Sequence, residues 1–96
     1  MNMQALMKQA QSMQREMTKI KEEIDNTEFV GESSFVSVKV NGKKEILDVT
    51  INEKVEADDI DMLPDLFIVA ANNAMKQVDQ TTEKKMSKFG NIPGLF

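Results

Sequence analysis

The stretch that decides the fold is Val36-Ser37-Val38-Lys39-Val40-Asn41-Gly42-Lys43-Lys44-Glu45-Ile46-Leu47-Asp48-Val49-Thr50-Ile51. Val36, Val38 and Val40 alternate with Ser37 and Lys39, and Leu47, Val49 and Ile51 alternate with Asp48 and Thr50. Period-two alternation of this kind predicts two strands, each with one buried face. Asn41-Gly42 between them predicts a hairpin, because both residues tolerate the positive φ of a tight primed turn. Upstream, Glu28 to Ser33 reads as a further short strand that pairs with Phe35 to Val40 through a turn near Ser33-Ser34. Gly31 within it points to a bulge or a close backbone approach. The expected unit is a three-stranded antiparallel meander whose edge is free to pair with another copy.

On the N-terminal side, the first 25 residues hold no Gly or Pro and are rich in Met, Gln, Lys and Glu, which favour or tolerate helix. Met3, Leu6, Ala10, Met13, Met17, Ile20 and Ile24 step by three and four in turn. That heptad seam predicts a helix packed along its length on another helix, within the same chain in preference to across a twofold. About 24 residues at a rise of about 1.5 Å make a rod of about 36 Å, too long for a small sheet to cover, so part of it should project. Lys8 and Arg15 lie on the face opposite the seam with Lys19 beside them. Met1, Met3, Met7, Met13 and Met17 also make this helix Met-rich, a composition found on adaptable binding surfaces.

On the C-terminal side, Asn52 to Asp59 is an acidic connection, and Asp58, Asp59 and Asp61 are candidate caps for a second helix. Pro64 suits the first turn if Asp61 is the cap. Leu66 to Ala71 is apolar all round, which asks for burial on more than one side. The helix should turn polar through Gln80 to Lys85 and end near Phe89-Gly90, where Gly is the usual stop. Residues 1–90 are thus expected to form a single domain, with residues 91–96 as a short flexible tail. The fold class is α+β: a long N-terminal helix, a three-stranded antiparallel meander and a long C-terminal helix.

Composition narrows the chemistry. The 96-residue chain has neither Cys nor His, which removes thiol nucleophiles, disulfides, the usual zinc ligands and His-based acid–base catalysis. The acidic group Asp58, Asp59, Asp61 and Asp65 lacks the Gly and bidentate Glu of a calcium loop, and reads as helix-start complements. No phosphate-binding glycine loop is present, and no apolar run approaches the roughly 18 residues of a membrane span. The expectation is a soluble cytoplasmic protein, not an enzyme, with no cofactor, no metal and no small-molecule substrate.

The formal net charge is −4, yet it is unevenly spread. Residues 1–21 carry Lys8, Arg15, Lys19 and Lys21 against Glu16, a net of +3, and residues 66–96 carry Lys76, Lys84, Lys85 and Lys88 against Asp79 and Glu83, a net of +2. Residues 45–65 hold −7 and residues 22–44 hold −2. The order along the chain is basic, acidic, basic. With a small core for its length, and an all-round apolar helix segment, the chain is expected to dimerise about a twofold.

Several stretches together resemble the YbaB/EbfC family of bacterial nucleoid-associated proteins. They are Leu6-Met7-Lys8-Gln9-Ala10-Gln11-Ser12-Met13-Gln14, Val30-Gly31-Glu32, Val38-Lys39-Val40-Asn41-Gly42, Asp58-Asp59-Ile60-Asp61-Met62-Leu63, Asp65-Leu66, Ala70-Ala71-Asn72-Asn73-Ala74 and Ile92-Pro93-Gly94-Leu95-Phe96, in order over nearly the whole chain. The resemblance implies a tweezer-like homodimer with projecting helical arms, binding double-stranded DNA and acting in nucleoid organisation and gene expression, without enzymatic activity. The expected phosphate contacts are Lys8, Arg15, Lys19 and Lys21 on the first helix and Lys76, Lys84, Lys85 and Lys88 on the second. Where relatives often carry a glycine-rich run after Gly31-Glu32, this chain has Ser33-Ser34-Phe35-Val36-Ser37, which should stiffen that turn. The alternative is a dimeric protein-interaction scaffold that uses the Met-rich heptad helix.

Overall fold

The computed structural model describes residues 2–52 and 54–90. Helix α1 spans Met3–Asp25, strands β1, β2 and β3 span Phe29–Ser33, Val36–Val40 and Ile46–Ile51, and helix α2 spans Leu63–Met86. Short 3-10 turns precede and follow α2, at Ala57–Met62 and Ser87–Phe89. This is the expected α+β order, and the sheet is the expected antiparallel meander β1-β2-β3. The expected tail, residues 91–96, lies outside the described residues.

Helix α1 starts where Asn2 Oδ1 accepts the Gln4 N–H at 3.0 Å, a side-chain cap on an otherwise orphan donor. It ends where Asn26 and Thr27 donate their side chains to the carbonyls of Glu22 and Glu23. Helix α2 departs from the expected start. Asp61 is not its cap: residues 57–62 form a 3-10 turn, and Met62 precedes the first residue, Leu63. Asp59 accepts the Glu56 N–H at 3.3 Å, so the acidic run closes the preceding turn instead. Pro64 does lie in the first turn of α2, where its missing N–H costs nothing. At the far end Gly90 takes a φ of 79°, the stop that its lack of Cβ permits.

The core is made by one face of the sheet and one face of α2. Val36, Val38 and Val40 of β2 are buried against Ala70, Ala71, Ala74 and Val78, with Phe29 of β1 beside them. Each fully buried valine contributes about 1.5–3 kcal/mol. Small residues on α2 let the helix settle onto β1. A Cβ at Gly31 would collide with the Ala70 carbonyl and stand 2.5 Å from Ala74 N. Gly31 is therefore a close-approach glycine and not a bulge, since β1 runs opposite β2 in unbroken register from Phe29↔Val40 to Ser33↔Val36. Gln77 Nε2 donates to the Val30 carbonyl at 2.8 Å and closes that edge of the sheet.

Two expectations are corrected. The heptad seam of α1 is not packed along its length: only Ile24 is buried, Met17 and Ile20 are half-buried, and Leu6, Met13 and Met3 are exposed, the last to 73%. The helix runs out beyond the body, and the molecule measures 71 × 20 × 15 Å. Nor does β3 have a buried face. Val49 lies opposite Val38 and Ile51 opposite Val36, so both point to the α2 side, yet α2 covers β1 and β2 and leaves them almost half exposed.

Candidate nucleic-acid interface

The eight basic residues expected at the interface are all exposed. Lys8, Arg15 and Lys19 form one stripe on α1, opposite the seam. Arg15 and Lys19 line an open groove with Gln11, Gln14, Thr18 and Glu22. The end of α2 runs beside this part of α1, because Lys88 Nζ reaches Glu16 Oε2 at 4.0 Å. Lys84 and Lys85 thus stand within about one helical turn of that junction along the arm. Along the length of the molecule these five cations fall on the arm and its junction with α2, although Lys84 and Lys85 stand about 100° apart around the helix and do not share one face.

The remaining three are placed differently. Lys21 sits 3.7 Å from Asp25 one turn on, and Lys88, besides its approach to Glu16, lies 5.2 Å from the centre of the Phe89 ring. Both spend part of their charge within the chain. Lys76 lies seven residues after Val69 and so on the same outward side of α2, over the sheet, and more than two turns back from the arm. Among the described residues no carboxylate lies within salt-bridge distance of Lys8, Arg15, Lys19, Lys76, Lys84 or Lys85. The acidic 3-10 turn at Ala57–Met62 stands at the opposite end of α2, about 36 Å away.

A second exposed surface is apolar. Ile46, Val49 and Ile51 of β3 are each exposed to nearly one half, as is Ile68 of α2. Asp79 reaches Lys44 in the β2–β3 loop with Nζ and Oδ1 2.6 Å apart, which marks the flank of α2 that faces the β3 side. Ile68 lies eleven residues before Asp79, three helical turns, and therefore on that same flank. Between that flank and β3 runs an apolar trough that no described residue fills. The sequence indicated the need for a second cover through Leu66 to Ala71, which includes Ile68, but not the part played by Ile46. Among the described residues no group of three acidic side chains converges to hold a metal ion, and no helix is long and apolar enough to cross a membrane.

Comparison with known proteins matches the profile of the YbaB/EbfC DNA-binding family over residues 1–92. The chain belongs to this family. Its relatives include a nucleoid-associated protein of Clostridium novyi, 45% identical over 100% of this chain and 90% of the relative. A nucleoid-associated protein of Ligilactobacillus salivarius is 42% identical over 99% of this chain and 95% of its own length, and one of Oceanobacillus iheyensis is 43% identical over 99% and 97%. Among solved structures, the uncharacterized protein HP0035 from Helicobacter pylori superposes with a TM-score of 0.75 at 22% identity, covering 95% of this chain and 99% of its own. That likeness is one of fold.

Proposed function

We propose that this YbaB/EbfC protein is a nucleoid-associated, non-enzymatic protein that binds double-stranded DNA as a homodimer through its basic arms, organising the nucleoid and influencing gene expression. The observation that carries the reading is the exposed stripe of Lys8, Arg15 and Lys19 on the projecting helix, with exposed Lys84 and Lys85 one turn from its junction with α2. Exposed cations on a rod fit a run of phosphates, and such contacts position a protein on DNA while carrying little base information. Lys21, Lys76 and Lys88 would add weaker, peripheral attraction. The acidic turn lies a helix length from the arms and would keep the body off the duplex.

The homodimer is supported by the apolar trough. A strand edge with unpaired backbone groups, beside bare Ile46, Val49, Ile51 and Ile68, offers a second copy both hydrogen bonds and apolar cover. Two arms on one duplex then act with an effective concentration that a lone chain lacks. The test is a titration of duplex DNA across salt concentration. Affinity is expected to fall steeply with salt and to collapse when Arg15, Lys19 and Lys85 are neutralised together; binding indifferent to both would overturn the reading.

One observation favours a second reading. Met3, Leu6 and Met13 remain bare on the arm, which suits a dimeric scaffold that recruits a protein partner. Capture from lysate treated with nuclease separates the two readings, since a scaffold keeps its partner there and a DNA binder loses its cargo.

A further inference from the structure

Helix α1 carries the basic stripe but has little hold on the body. Its one buried side chain is Ile24, and its last turns share the walls of a cleft with Val78, Asp79, Thr82 and Met86 of α2 and with Gly42 and Lys44 of the β2–β3 loop. That loop is tightly self-bonded. Asn41 Oδ1 accepts the N–H groups of Lys43 and Glu45 at 2.9 and 3.0 Å, Asn41 Nδ2 donates to Glu45 Oε1 at 2.8 Å, and Lys44 takes a φ of 63°. Lys44 then reaches across to Asp79. Gly42 itself is not in the positive-φ region. Its lack of a side chain serves another purpose: a Cβ there would collide with the Ile24 carbonyl and stand 2.7 Å from Asp25 N.

We infer that the Asn41–Glu45 loop is the clamp that sets the direction of the arm, with Gly42 as a positioning residue for duplex binding. The loop presses backbone on backbone against the last turn of α1. Ordinary contacts lie at about 3.5–4.0 Å, so a methyl group at Gly42 would push the helix end away by at least about 1 Å. Ile20, the next hold, is about 6 Å up the helix, and Lys8 about 18 Å beyond that. A tilt of about 10° follows, which carries Lys8 through about 3 Å, comparable with the axial step of about 3.4 Å between phosphates of one strand. The functional half of this inference rests on the DNA-binding reading above; the geometric half does not.

The chain has no cysteine, so Gln4→Cys on the arm can be spin-labelled in pairs with Asn72→Cys on α2 or Glu32→Cys on β1. Labelled full-length chain diluted into unlabelled chain gives the intrachain distances by pulsed electron resonance. Gly42→Ala is expected to shift at least one of the two distances by about 3 Å or more, and to weaken binding of a 20-base-pair duplex at least about fivefold. Asn41→Ala, which adds no bulk and removes the loop's central acceptor, is expected to broaden both distributions, and it decides the matter if Gly42→Ala does not fold. Distances and widths unchanged in the folded variants would overturn the clamp. If the wild-type chain binds no duplex, the DNA reading fails while the distances still decide whether the loop sets the arm.

Discussion

At the scale of single residues, glycine shows how one residue type can answer different constraints. Gly31 makes room for the α2 backbone and Gly42 for the end of α1, while Gly90 supplies a left-handed φ. Gly31→Ala is expected to lift α2 off β1 and cost about 1–3 kcal/mol, the range for overpacking a filled core; urea unfolding would measure it. Lys44 presents the opposite case, a non-glycine residue at φ 63°. Glycine there would relieve about 1 kcal/mol or more of left-handed strain and lose an exposed ion pair worth about 0–1 kcal/mol. Lys44→Gly is therefore expected to raise the midpoint of thermal unfolding by a few degrees, and a fall would show that the pair to Asp79 outweighs the strain. The sequence placed the hairpin at Asn41-Gly42 correctly but for a different reason. Turn chemistry is local and legible in a dipeptide, whereas contact with Ile24, eighteen positions away, has no local signature.

At the scale of elements, periodicity identified both long helices and the three strands, though not the 3-10 turns at Ala57–Met62 and Ser87–Phe89, because apolar spacing reports which face of an element seeks cover. It does not report what supplies the cover. The seam from Met3 to Ile24 reads as one continuous packing surface, yet α2 reaches only its last turns. Met13→Gln is expected to change stability by less than about 0.5 kcal/mol, as for an exposed site, and Ile24→Ala to cost about 2–4 kcal/mol, as for a buried one. Equal costs would place a partner along the arm. Strand β3 has the same lesson in a sharper form, since its alternation is correct and no described residue covers it. If the chain dimerises as proposed, Val49→Lys is expected to leave the fold of the single chain intact by circular dichroism and to shift the dimer to monomer by sedimentation.

At the scale of the whole molecule, the charge that totals −4 is separated by structure into basic arms and an acidic end. Of the eight cations named from sequence, the fold gathers five near the arm and engages or displaces Lys21, Lys76 and Lys88. Sequence segments revealed the basic stretches, but partnering by Glu16 and Asp25 and the angular spread of the α2 lysines depend on how two helices lie together. If Arg15, Lys19 and Lys85 each meet a phosphate in both copies, neutralising them removes six contacts. The slope of log affinity against log salt should then flatten by about 5, read from a duplex titration; a slope that stays fixed would move the contacts elsewhere.

The long, thin outline also governs how the particle drifts and tumbles. Its radius of gyration is 19.0 Å, against about 13 Å for a compact chain of similar length. Friction on such a body exceeds that on a sphere of equal mass, so a single 10.8 kDa chain would leave a sizing column early and pass for something heavier. Subunit number for this protein has to be read from mass, by light scattering or sedimentation equilibrium, because its silhouette alone imitates assembly.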